Sequence, residues 1–288
     1  MVILVVPLTF VGISLILCAL AGVPKLGSHL VKHGDSAAWR APCACVAAGF
    51  CLSWAIYFAL QGCLHGHLVF VHIPKNAGTS IEIAGITNGI NWGSMHLEFA
   101  GYQTMPDNSS CSRYHVPPRL LPQPNPYTHG SLFCLTRSPY DRAVSEYKYL
   151  LSADWGKEYA TTYSTGLYER PECSAAGLNH FVQTALKAYR SGQMYIDDCH
   201  HVPQVEYVYD KDGTQLCKHV LRIEDLPMAF DELMEEHGYP VRLPDTREGD
   251  TLTTCTDLST KDLSAETRAM ILEVYRDDFR RLNYSTAI

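Results

Sequence analysis

The sequence predicts an α/β fold, a parallel sheet flanked by helices and preceded by N-terminal membrane helices. Three observations carry this reading. Two short apolar runs, one from Leu68 to the residue before Pro74 and rich in Val and Ile, the other Leu132–Thr136, each lead through a turn into a helical stretch, as buried parallel strands do. The turn after the first run combines one lysine, one glycine and two hydroxyls ahead of a helix, the composition of a phosphate-holding loop. Ahead of both, residues 1–23 and 41–64 are apolar and uncharged, each long enough for a bilayer that takes about 20 residues to span.

The N-terminal stretches come first in the chain. Met1 to Val23 contains no Lys, Arg, Asp or Glu, and neither does Ala41 to Leu64. Lys25, Lys32 and Arg40 lie between them against a single Asp35. By the positive-inside rule this connector is cytoplasmic, and the second helix carries the rest of the chain to the lumen or exterior. A signal-peptidase site at Ala19-Leu20-Ala21-Gly22 is the competing reading, but no basic residue precedes the apolar run as a signal peptide requires. The Cys, Ala and Gly content of Ala41–Leu64 would also suit a buried helix of the domain. The expected organisation is a two-span membrane anchor over 1–64 and a catalytic domain over 65–288. About 220 residues suffice for one α/β domain with a full core.

The first strand runs into His72-Ile73-Pro74-Lys75-Asn76-Ala77-Gly78-Thr79-Ser80-Ile81. Gly78 lets the backbone approach a ligand closely. Thr79 and Ser80 supply hydroxyls and free N–H groups where the helix begins. A Walker A loop places its lysine after the last glycine; here Lys75 stands three residues before Gly78. The order Pro-Lys-x-x-Gly-Thr-Ser after a strand resembles the 5′-phosphosulfate loop of the sulfotransferases, which use 3′-phosphoadenosine-5′-phosphosulfate (PAPS). The fuller string from His72 looks most like the membrane-bound, Golgi-type branch that includes the heparan sulfate 2-O- and 6-O-sulfotransferases. The resemblance implies a P-loop-like parallel sheet and a donor held by Lys75, Asn76, Ala77, Gly78, Thr79 and Ser80.

The second strand leads into Arg137-Ser138-Pro139-Tyr140 and a helix expected to run to about Leu151. Ser138 suits an N-cap and Pro139 a first helical position. Arg137 stands at the carboxyl end of its strand, where open α/β sheets bind ligands, and Ser145 follows eight residues on. This block resembles the family's 3′-phosphate-binding segment, which implies that Arg137 and Ser145 hold the 3′-phosphate of PAPS. The family form has Asp after the Arg, where this chain has Ser138. Further on, His201-Val202-Pro203-Gln204, Val220 to Leu226, Phe230 to Gly238 and Leu263 to Tyr284 repeat the family's order and read as scaffold. Met270, Ile271, Val274, Tyr275 and Phe279 fall on one helical face. The likeness covers about Leu68 to Tyr284.

Sulfuryl transfer, like phosphoryl transfer, needs an activated acceptor oxygen and a stabilised leaving phosphate. Lys75 is the charge stabiliser by position. The family takes its general base, a His or a Glu, from the interval between the two phosphate blocks. His72 reads as structural, and His129 follows a Pro-rich segment. His115, in Ser112-Arg113-Tyr114-His115-Val116-Pro117-Pro118, resembles the family's catalytic histidine and is the first candidate. His96 is the second and Glu98 the third.

Composition bounds the rest. A net charge of −7 speaks against nucleic acid as a partner. The low charged fraction, 18%, agrees with a membrane-embedded part. No metal is required, and there is no zinc spacing. Of 11 cysteines, six lie in the domain, namely Cys111, Cys134, Cys173, Cys199, Cys217 and Cys255, and in an oxidising lumen some should pair. Cys199 and Cys217 flank an apparent strand, Val205 to Tyr209, and a turn, so they are the expected bridge. Cys134, inside a strand, reads as a buried thiol. Sequons at Asn108 and Asn283 fit a lumenal placement.

The expected function is PAPS-dependent sulfation of a glycan hydroxyl by a Golgi membrane protein with a lumenal catalytic domain. Sulfation of a small hydroxylated metabolite is the enzymatic alternative. A non-catalytic nucleotide-binding membrane protein of the same fold is the other.

Overall fold

The computed structural model describes residues 67–151, 172–243 and 255–287. The spans predicted over 1–23 and 41–64 lie outside them. No helix among the described residues is long and apolar enough to cross a membrane.

The sheet has three strands, β1 (Leu68–Val71), β4 (Ser131–Thr136) and β5 (His219–Arg222), in the order β1-β4-β5. Both pairings are parallel, with Phe70 opposite Phe133 and Cys134 opposite Val220. Side chains alternate across a strand, so each strand feeds two cores. Leu68 and Phe70 of β1, with Phe133 and Leu135 of β4, pack on α1 (Gly78–Thr87) and α5 (Met228–Glu236) through Ile81, Phe230 and Met234. Val71, Leu132 and Cys134 face the other way, toward Tyr207 and Val208. A third core forms between α2 (Pro139–Leu151), α3 (Ala175–Arg190) and α6 (Ala265–Val274) around Val144, Leu178, Leu186 and Ile271. Between β1 and β4 lies a hairpin of β2 (Tyr102–Thr104) and β3 (Ser110–Ser112). Asn108 is exposed in the turn that joins them.

Three expectations are corrected. Val205–Tyr209 is not a strand: Val205–Val208 forms a single helical turn, α4. The buried Asp278 carboxylate accepts the N–H groups of Gln204 and Val205 at 3.0 and 2.9 Å, which caps that turn in place of a strand ladder. Second, the apolar face of Met270 to Phe279 is divided. α6 ends at Val274 and α7 (Arg276–Arg281) begins after Tyr275, whose φ and ψ of −100° and 26° break the run.

The third concerns cysteines. Cys199 bonds Cys111 and Cys217 bonds Cys134, so the expected Cys199–Cys217 bridge does not form and Cys134 is not a free thiol. Cys173 pairs with Cys255. The reason is tertiary: β4 runs beside β5, so Cys134 meets the residue that leads into β5, which lies 83 positions away in sequence. Non-reducing peptide mapping is expected to return these three pairs; recovery of a 199–217 cross-link would overturn the assignment. In the chain-entropy account, closing a loop of this length stabilises the fold by about 4–5 kcal/mol per bridge.

Candidate functional site

β1 and β4 are adjacent and parallel, so the loop after β1 and the turn after β4 open side by side at the carboxyl end of the sheet. The loop after β1 is built around two left-handed residues, Lys75 (φ 68°) and Ala77 (φ 60°). Ala77 is the N-cap of α1 and has no oxygen to give, so no side chain caps the helix. The first turn of α1 therefore directs uncapped N–H groups and a positive dipole end outward. Gly78 is required here because a Cβ built on it would overlap the His72 ring.

Buried polar struts hold the loop. The Asn76 side chain donates to the Leu135 carbonyl and to Gln204 Oε1, both at 2.8 Å. It thus points into the protein, as a brace between β1 and β4, and not toward the open face of the loop. Gln204 in turn bonds the backbone of Arg137 in both directions at 2.9 Å and reaches Asp278. Arg142 on α2 donates from Nε to the Pro74 carbonyl at 3.1 Å and from its guanidinium to the His200 carbonyl at 2.7 Å. One buried network fixes the loop after β1 and the turn after β4 relative to each other.

Lys75 keeps part of its surface exposed, and its Nζ lies 3.5 Å from the centre of the Tyr149 ring. Burial of the ammonium lowers its pKa to about 8; Glu146 opposes the shift and Arg137 adds to it. Arg137, half-buried, follows β4, and Ser145 is buried two turns into α2 beside Glu146. Thr79 is exposed and Ser80 half-buried in the first turn of α1.

Behind Lys75 lies a cluster of buried histidines and carboxylates. His200 Nδ1 meets Glu146 at 2.9 Å, His201 Nε2 meets Asp197 at 3.0 Å, and His115 Nδ1 meets Asp198 at 2.8 Å. His72 is bonded to Glu82 at 2.5 Å. The His115 ring stands edge-on to those of His72 and His200, 4.8 Å from each. Burial drives the His115 pKa down to about 4, with Asp198 opposing. Burial would also lower His200, but Glu146, Asp197 and Asp198 together outweigh it and the His200 pKa is raised. Burial would raise Glu146 and Asp198, yet their histidine partners hold both below the carboxylate range. At neutral pH His115 is a neutral imidazole beside an ionised Asp198.

The structure thus groups Lys75, the N-terminus of α1, Arg137, Ser145 and His115 at one end of the sheet. His96 and Glu98 stand elsewhere. They line a cleft of about 670 Å³ with His67, Leu68 and Trp92, at the start of β1 where Lys75 follows its end. Sequence reasoning missed Glu146, Asp197, Asp198 and His200, and took Gln204 as scaffold. The dense run Asp197-Asp198-Cys199-His200-His201 is the visible signal for three of them, Asp197, Asp198 and His200. Atoms of His115, Asp198 and His200 lie within 4.8 Å of one another. Their carboxylate pairings and the Lys75 ammonium facing Glu146 and Asp197 suit proton holding better than cation binding.

Such a site combines an anion cradle with a buried acid–base group. Residues 64–285 match the Sulfotransferase family, and the chain belongs to it. The enzyme is a sulfotransferase, which moves a sulfuryl group to a hydroxyl-bearing acceptor. No curated protein and no solved structure matches the chain.

Proposed function

We propose that this sulfotransferase takes its sulfuryl group from PAPS and delivers it to a hydroxyl of a glycan, in the Golgi lumen and from a membrane-anchored chain. The observation that carries the reading is the pairing of two phosphate-suited strand ends, Lys75 with the uncapped α1 and Arg137 with Ser145, beside a neutral buried His115. Two separated phosphate contacts fit a donor with phosphates at 3′ and 5′. Three disulfides support an oxidising compartment.

In the reaction, His115 Nε2 takes the proton of the acceptor hydroxyl as its oxygen forms a bond to sulfur. The bond from sulfur to the 5′-phosphate oxygen breaks in line, and adenosine 3′,5′-bisphosphate leaves. Lys75 and the N–H groups of Gly78, Thr79 and Ser80 take up the charge that builds on the departing phosphate.

The test uses the full chain in detergent with labelled PAPS, a panel of glycans and a panel of small alcohols. Transfer to a glycan supports the reading, and transfer to small alcohols alone would replace it with metabolite sulfation. Donor binding without any transfer would favour a non-catalytic role. A sharper check is Arg137→Ala. It is expected to weaken adenosine 3′,5′-bisphosphate by about 10- to 100-fold in calorimetry, the loss of a charge-assisted contact. Adenosine 5′-phosphosulfate, which lacks the 3′-phosphate, should bind both proteins alike.

A further inference from the structure

We propose that Asp198 is the positioning residue of the reaction: it accepts the Nδ1 proton of His115 and so leaves Nε2 unprotonated toward the acceptor. This rests on the reading of His115 as the base.

Geometry supplies the argument. An ionised carboxylate can only accept, and Asp198 accepts from three donors. Ser112 gives its backbone N–H to Oδ1 and its hydroxyl to Oδ2 at 3.0 Å, and His115 Nδ1 lies 2.8 Å from the same Oδ2. With the carboxylate so engaged, His115 must carry its proton on Nδ1. The groups facing His115 from the neighbouring elements are Asp198, His200, His72 and Tyr114, and of these Asp198 bonds its ring.

The segment that brings Asp198 there is held in an unfavourable backbone. Asp197, Asp198 and Cys199 have φ of 58°, 54° and 66°, three consecutive L-residues in the left-handed region, which such residues visit singly and rarely. Strain of this kind persists where the surroundings over-determine it. Here the Cys111–Cys199 bridge ties the residue before Ser112 to the residue after Asp198. The Asp197–His201 pair closes the segment on itself. Tyr207 donates to the His115 carbonyl at 2.7 Å, which fixes the backbone of the base as well. Carboxylate, ring and both backbones are pinned independently.

Asp198→Asn separates positioning from packing. The Ser112 N–H keeps the amide oxygen at the Oδ1 place, so the amide NH₂ faces His115 Nδ1 and donates to it. The His115 proton must then move to Nε2, the nitrogen that should take the acceptor proton. Nitrogen-resolved NMR of ¹⁵N-histidine protein, full chain with adenosine 3′,5′-bisphosphate, reads this directly; His115→Gln assigns the signal. The expected result at pH 7 is Nδ1–H in the wild type and Nε2–H in Asp198→Asn. With the acceptor that scores in the transfer panel, kcat should fall at least tenfold while KM for PAPS stays within twofold. Nε2–H in the wild type, or an unchanged tautomer and kcat in the variant, overturns the proposal. Should Asp198→Asn fail to bind the bisphosphate, the wild-type tautomer alone decides. If His115→Gln keeps turnover, the base reading falls; if it is inactive and Asp198→Asn is not, only the positioning role falls.

Discussion

Lys75→Ala is expected to lower kcat/KM for sulfuryl transfer by about 10²–10³-fold, the usual cost of losing one preorganised stabiliser of developing charge. The protein should stay folded, because the side chain's partners are the Tyr149 face and long-range charges, and the loop is braced by Asn76 and Arg142 instead. The pH dependence is the more specific signature. Burial brings the Lys75 pKa down to about 8, so the ammonium is lost as pH rises through that value. The kcat/KM profile, which reports the free enzyme, should decline above about pH 8. Lys75→Arg keeps its charge at any accessible pH, and its alkaline decline should recede. A wild-type profile flat to pH 10 would contradict the assignment.

His115→Ala is the second large effect, an expected loss of about 10²–10⁴-fold in kcat from removal of a general base. Affinity for adenosine 3′,5′-bisphosphate should change little, since the proposed donor contacts are Lys75, the start of α1, Arg137 and Ser145. With its pKa lowered to about 4 by burial, His115 remains a competent base well below neutral pH. The acid limb of the wild-type profile should therefore lie near pH 4. Stability follows the same group with the opposite benefit. Between the unfolded value of 6.5 and the folded value of about 4, the unfolded chain binds more protons. His115 thus costs the fold up to about 3 kcal/mol as pH falls through that window. The variant should lose this part of the acid sensitivity, measurable as a smaller drop in Tm between pH 7 and pH 4. Near-normal turnover in His115→Ala together with loss of activity in His96→Ala would reverse the choice of base.

Much of the frame was legible because it is local. The loop after β1 and the start of α1 occupy one stretch from Leu68 to Thr87, and β4 with α2 another from Ser131 to Leu151. Apolar runs, a glycine and a strand-end Arg announce both. What could not be read is what sequence separation hides. His115 and Asp198 are 83 residues apart and Asn76 and Gln204 are 128 apart, so each pair meets only in the folded chain. Val205–Tyr209 carries the Val and Tyr residues that favour a strand, yet it forms a helical turn whose leading N–H groups are held by the distant Asp278 carboxylate. Glu146 has no local signal in the sequence beyond its place after Ser145 on a helix. Its burial against His200 comes from another part of the chain.

The order of the three bridges carries a consequence for biosynthesis. Along the chain the partners run 111, 134, 173, then 199, 217, 255, so every bridge crosses the other two and none is nested. A cysteine emerging into an oxidising compartment meets first its neighbour in sequence, which is never its native mate. Cys111 must wait for 88 further residues and Cys134 for 83. The Cys134–Cys217 bridge in particular needs β4 to stand beside the lead into β5. The pattern makes complete oxidation a late event, and a chain cross-linked in order of appearance would lack the Cys111–Cys199 bridge that ties the Ser112 and Asp198 segments together.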